Sequence, residues 1–253
     1  MITINNLVNN SNIKITAEKG PFKVLEHQYD LSVLPQTAAQ AYFSSQMNVR
    51  RRQLLCQLNE NGITIQAGAM QWTAGNVSAT TGVKGVGDFL GKAFLGKATG
   101  ESAIKPEYVG SGTLVLEPTY KHLILMDTYE WGGSVVLDDG LFLACESTLK
   151  HSVAARSNFS SAVAGGEGLF NLCLSGMGAF CIESDCPREE LVEIYLENDT
   201  VKIDGNFAIA WSSSLNFTVE RSSKTLIGSA ASGEGLVNVY RGTGKILMMP
   251  VRG

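Results

Sequence analysis

The sequence predicts an all-β protein of three tandem modules, each sandwich-like or double-stranded-helix-like, with pseudo-threefold packing. Two observations carry this expectation. The first is an internal echo. Gly166-Glu167-Gly168-Leu169-Phe170-Asn171, closed by Gly176-Met177-Gly178, returns as Gly233-Glu234-Gly235-Leu236-Val237-Asn238, closed by Gly242-Thr243-Gly244. A fainter copy is Gly100-Glu101-Ser102, closed by Gly110-Ser111-Gly112. The three glutamates stand 66 and 67 residues apart, and self-similarity at a fixed period is the mark of a repeated structural unit. The second observation is turn chemistry: 27 glycines against 6 prolines, set between short alternating apolar runs, describe many tight turns between strands.

Residues 1–48 precede the repeats as an N-terminal extension. Residues 1–20 are polar and weakly patterned. Phe22, Val24, Tyr29, Leu31 and Val33 alternate loosely up to Pro35, which fits one or two edge strands. Ala38, Ala39, Ala41, Phe43 and Met47 fit a helical turn or another strand equally well. The modules then occupy residues 49–118, 119–184 and 185–253. Each offers a hairpin: Ile63-Thr64-Ile65 turning at Ala67-Gly68, Ser134–Leu137 turning at Asp138-Asp139-Gly140, and Val201-Lys202-Ile203 turning at Asp204-Gly205. Asp-Gly between alternating apolar runs favours a hairpin because both residues tolerate positive φ. A further run follows (Val77–Ala79, Leu149–Val153, Leu215–Val219), then the Gly-Glu motif, then a strand after Gly-x-Gly. This gives about five short strands per module, each with one wet and one dry face. A unit of about 66 residues is small for independent stability, so the three are expected to share one compact core.

The first copy departs from the others. Aligning Trp72 with Cys145 and Gly100 with Gly166 makes it seven residues longer, within a glycine-lysine-apolar stretch over 81–97. Phe89, Leu90, Phe94 and Leu95 form one face of a short helix there, with Lys92 and Lys97 outside, as an interaction segment for a partner or a membrane surface requires. The alternative is an insertion that covers a neighbouring module or subunit. Gly91 to Lys97 also fits the Gly-x-x-x-x-Gly-Lys phosphate-loop frame. Ala98 stands where a metal-holding hydroxyl is needed, and no helix follows.

The repeat signature itself (Glu101, Gly166, Glu167, Gly168, Gly233, Glu234, Gly235) reads as structural, each carboxylate accepting N–H bonds in its own turn. Convergence of the three glutamates on a hard cation is the competing reading. Trp72 and Trp211 hold matching positions, which suits core packing. His27, His122 and His151 sit in no ligand or catalytic motif, and no histidine is expected near a cysteine. Arg50-Arg51-Arg52 reads as a solvated basic cluster. With a net charge of −4, nucleic acid is not a favoured partner. Cys56, Cys145, Cys173, Cys181 and Cys186 are odd in number and lack a Cys-x-x-Cys, so free thiols in a reducing cytoplasm are expected. Met1–Asn6 carries no basic region leading into an apolar core. No apolar run approaches the ~20 residues of a spanning helix.

Gly68-Ala69-Met70, Leu143-Ala144, the Gly-Glu-Gly-Leu pairs at 166 and 233 and the Gly-x-Gly closures resemble the altered-inheritance-of-mitochondria family, twenty-four type, over residues 49–250. The resemblance implies an all-β double-stranded helix similar to the modules of the tryptophan RNA-binding attenuation protein. It supplies no catalytic residues. Mitochondrial members are linked to inner-membrane organisation; the absent presequence suits a bacterial cytoplasmic member better. The expected function is a non-catalytic, homo-oligomeric scaffold or interaction protein with an unidentified protein partner, needing no cofactor or metal. An RNA-binding ring, by fold analogy, and a small-molecule or metal-binding barrel are the alternatives.

Overall fold

A computed structural model describes residues 2–80, 105–155, 170–221 and 236–251. The protein is mostly β, with one short helix. At the N-terminus, β1 (Ile13–Lys19) and β2 (Phe22–His27) form a hairpin whose turn residue Gly20 has φ +53°. β2 buries Phe22, Val24 and Leu25. The strand ends there, and residues 28–34, expected to continue it, form a loop instead. The ambiguous stretch after Pro35 resolves as helix α1 (Ala38–Gln46). Its alanines and glutamines favour helix, and it contains no β-branched residue. None of its residues is buried.

The first predicted module forms β3 (Arg52–Asn59), β4 (Ile63–Ile65), β5 (Met70–Thr80) and β6 (Glu107–Leu116). The second forms β7 (His122–Asp127), β8 (Ser134–Leu137), β9 (Phe142–Glu146), β10 (Lys150–Ala155), β11 (Phe170–Ser175) and β12 (Ala179–Ser184). The third forms β13 (Val192–Asp204), β14 (Ala208–Ser212), β15 (Asn216–Arg221) and β16 (Leu236–Met248). The hairpin turns fall where the Gly signals put them, with Gly68, Gly140 and Gly205 at φ +82°, +78° and +56°.

The Gly-x-Gly closures are bends within strands. Gly110, Gly176 and Gly242 have φ of +116°, +114° and +118°, a region that L side chains rarely adopt. At the first bend the chain is also tight: a Cβ on Gly110 would lie 2.1 Å from the Asn76 carbonyl oxygen. Strands that the sequence divides in two therefore run on through a bend, β16 at Gly242 and β5 at Gly75, where φ is +103°. In the middle stretch the same bend separates β11 from β12.

Two sheets result. In the first, the order is β1-β2-β3-β6-β4-β9-β12-β7, with β5 also on β6; in the second it is β10-β11-β8-β14-β16-β13, with β15 also on β16. The first sheet curls until β7 comes against β1 and β3, so it is nearly a closed barrel. The middle stretch is shared between the sheets. β7, β9 and β12 lie in the first, β8, β10 and β11 in the second, and Phe142, Phe180, Ile182, Leu174 and Leu137 fill the space between them. The expected wet and dry faces hold only for the outer strands. Val135–Leu137, Phe142–Cys145 and Ala208–Ser212 are buried at every position, because these strands are covered by apolar groups on both faces.

Register corrects one sequence alignment. Thr73 pairs with Leu114, Cys145 with Phe180 and Trp211 with Ile246. With the bend glycines matched, Thr73 corresponds to Cys145 and Trp211; Trp72 does not. A one-residue slip reverses the face. Trp72 accordingly packs on Leu25, Leu55 and Val115, and Trp211 joins a different cluster with Tyr240 and Ile246. Thr73 precedes Cys145 by 72 residues and Gly110 precedes Gly176 by 66. The first copy is thus six residues longer, not seven.

Candidate interaction groove

A concavity of about 730 Å³ lies between helix α1, the 28–34 loop and the residues that lead into β3. Its volume falls in the range of ligand pockets, roughly 300–1,000 Å³. Its surroundings are unusually apolar for open surface. Tyr29, Leu31, Leu34, Tyr42, Phe43 and Met47 are each more than 60% exposed. From Leu31 to Val49 the chain carries no charged residue. Contiguous apolar surface of this kind marks a contact site in soluble proteins.

Arg50 and Arg51 of the arginine cluster line the groove, and Arg52 lies next to them in sequence. The sequence reading left the cluster solvated; the structure pairs it. Arg52 is 4% exposed and reaches the Glu26 carboxylate at 2.9 Å, while also donating to the carbonyls of Arg50, Tyr120 and Asn48. Arg51 donates to Asp30 at 2.6 Å and to the Tyr120 hydroxyl at 3.0 Å. That hydroxyl contact, followed by the carboxylate, raises the guanidinium pKa. Arg50 donates to the Gln28 carbonyl at 2.6 Å and stands 3.8 Å from Glu26, which Arg52 already holds. Three guanidiniums share two carboxylates, so the groove retains positive character at Arg50.

A second polar site corrects the expectation that no histidine lies near a cysteine. The Cys145 Sγ lies 3.1 Å from the His151 Nε2, and the Phe142 ring packs edge-on to the imidazole with centroids 5.5 Å apart. Burial raises the thiol pKa well above its ordinary range. Burial, then Lys105, lowers the imidazole pKa to about 4. Both groups are therefore neutral at pH 7, the opposite of an activated thiolate–imidazolium pair. The matching positions 211 and 217 hold Trp and Phe, ring to ring at 5.4 Å, so the pair occupies a packing position. The available signal was the six-residue spacing across the β9–β10 corner. A smaller cleft of about 290 Å³ opens over Trp211 and Phe217.

All five cysteines are free and buried. His27 bonds to Gln53 at 3.1 Å, and burial, then Arg52, lowers the His122 pKa. Asn171 and Asn238, which end the repeat motif, are buried and donate to the carbonyls of Leu137 and Gly205, tying each motif to its module's hairpin turn. The segment Phe89, Leu90, Lys92, Phe94, Leu95 and Lys97, and the signature residues Glu101, Gly166, Glu167, Gly168, Gly233, Glu234 and Gly235, lie outside the described residues. Among the described residues no three His, Cys, Asp or Glu side chains are grouped to hold a metal ion, and no helix is long and apolar enough to cross a membrane.

A mostly β chain with bent, glycine-hinged strands and a curled sheet is the class this geometry defines. Residues 45–251 match the family described as Mitochondrial biogenesis AIM24, and the chain belongs to that family. An uncharacterised protein of Streptococcus pyogenes serotype M6 is 30% identical over 194 residues, spanning 73% of this chain and 75% of the relative. A crystal structure of a Streptococcus pyogenes protein matches with a TM-score of 0.59 at 25% identity, covering 81% of this chain and 90% of that one. Helix α1 lies almost wholly before the family match, so much of the groove wall is outside the shared domain.

Proposed function

We propose that the protein is a non-catalytic interaction protein, built of three tandem β modules and acting as a homo-oligomer, that docks a protein partner in the α1 groove. The observation that carries this reading is the wall itself. Helix α1 buries nothing, yet its Tyr42 lines the groove beside Tyr29, Leu31 and Leu34, all of them exposed. A short helix gains most of its stability from packing an apolar face, so a covering partner accounts for both its sequence and its exposure. The chemistry that fits is an apolar segment bearing a carboxylate, set against the incompletely compensated Arg50. The engaged arginines argue against the RNA-binding alternative, since Glu26 and Asp30 already take the donors that phosphates need.

Tandem organisation is supported by three bends of equal φ and by matching registers. Cytoplasmic residence remains part of the proposal on the strength of the free thiols. The test is site-specific photocrosslinking. Benzoylphenylalanine at Tyr42, which lines the groove, irradiated in living cells of the native organism, is expected to give one protein adduct of fixed mass. Leu34→Asp should abolish it, and the same probe at exposed Tyr195 should not give it. An adduct pattern common to both positions, or none, would remove the reading.

A further inference from the structure

Two strand pairings join the consecutive modules, and they share one register. Between the first and second, Ile63 pairs with Glu146, Thr64 with Cys145 and Ile65 with Ala144. Between the second and third, Val135 pairs with Ser212, Val136 with Trp211 and Leu137 with Ala210. The flanking hydrogen bonds repeat as well. Gln66 N donates to the Leu143 carbonyl at 2.8 Å, and Asp138 N to the Ile209 carbonyl at 3.0 Å. Ser147 N donates to the Gly62 carbonyl at 2.9 Å, and Ser213 N to the Ser134 carbonyl at 3.3 Å. Carried one step on, the same register pairs Val201 with Ala74, Lys202 with Thr73 and Ile203 with Trp72.

That third pairing does not form within the chain. Among the described residues β13 pairs only with β16, and β5 only with β6. The two edges are uncovered at the positions that the register would cover. Lys202 and Thr73 are exposed, whereas Thr64, Val136, Cys145 and Trp211 are at most 8% exposed. Each molecule thus carries one copy of either half of an interface that it already makes twice internally.

The geometry points to head-to-tail β-sheet addition between copies of this chain: Thr200–Asp204 of one molecule pairs antiparallel with Gln71–Gly75 of the next. The Asp204 N–H would donate to the Gln71 carbonyl, and the Gly75 N–H to the Thr200 carbonyl. Unpaired strand edges are templates for this kind of addition. The contact is heterologous, so it builds a ring or a filament and not a two-fold dimer. This inference rests on the homo-oligomer reading and specifies its interface.

The test combines light scattering with cysteine pairing on the full chain. Thr73→Cys and Lys202→Cys variants, mixed and oxidised, are expected to form a disulfide-linked dimer that neither forms alone. Thr73→Lys places like charges directly opposite each other, which destabilises cross-strand pairs, and should reduce the assembled fraction about tenfold. Adding Lys202→Glu should restore it. Both positions are exposed, and an unchanged circular dichroism spectrum confirms folding. An oligomer by light scattering with no mixed disulfide and no effect of Thr73→Lys overturns this interface and leaves the oligomer reading standing. A monomer at every concentration overturns both, and Lys202 is then an edge charge that blocks pairing.

Discussion

Gly110, Gly176 and Gly242 are the residues on which the strand geometry turns. All three hold φ near +115°, where a side chain costs about 1–3 kcal/mol. Gly242→Ala is expected to lose stability in that range, since the nearest atom to its new Cβ is 3.8 Å away. Gly110→Ala should lose more, because its Cβ meets the Asn76 carbonyl. Urea midpoints of the two variants against the parent decide the order. His151 supplies a pH dependence. Its folded pKa of about 4 lies below the ordinary 6.5, so between these values the unfolded chain binds more protons. The stabilisation is fully present above pH 6.5 and is lost as pH falls towards 4. In His151→Phe, which installs the residue found at position 217, the urea midpoint should fall less between pH 7 and pH 4.5 than in the parent. At this scale the glycines were legible as a motif because positive φ constrains composition. The Cys145–His151 contact was not, because sequence spacing shows no corner.

Helix α1 and the strand edges are where element-level reading met its limits. Many strands announced themselves through glycine turns and apolar runs. In the first and third stretches the expected five strands become four among the described residues, because a glycine within an alternating run signals either a turn or a bend. Residues 37–47 carried no decisive periodicity: a helix that packs on nothing has no reason to sort its apolar residues to one side. The same fact yields a prediction. Tyr42→Ala and Phe43→Ala should each change unfolding free energy by no more than about 0.5 kcal/mol. Loss of stability on the scale of a core substitution would show instead that the helix is packed. Register was the other failure. Matching Trp72 to Trp211 was chemically attractive, but β-bulges at Met70/Trp72 and Ala208/Ala210 decide which residue faces which neighbour, and bulges leave little trace in composition.

Across the whole molecule, the middle stretch shares core clusters with each flank, while among the described residues no cluster unites all three stretches. Segments this short cannot bury enough apolar surface alone, and the structure answers with strands covered on both faces. Phe180, fully buried between the sheets, tests how far that sharing goes. Phe180→Ala should cost about 3–5 kcal/mol and lower a single urea transition as a unit, followed by both tryptophan fluorescence and circular dichroism. Two separated transitions would mean that the sheets unfold independently. The arrangement of modules about a common axis was the part that sequence could not settle, because a repeat fixes the unit and leaves the rotation between units to packing.

The middle stretch of the chain has a consequence for how this protein tolerates change. Its strands are divided between the two sheets, three to each, so it acts as the seam of the molecule. Excising residues 119–184 would not shorten the protein by one segment in a row. It would leave two flanks with no common hydrogen-bonded edge, each missing the neighbour that kept its inner face dry. Growth or loss of repeats in relatives is therefore expected at the flanks and not at the seam.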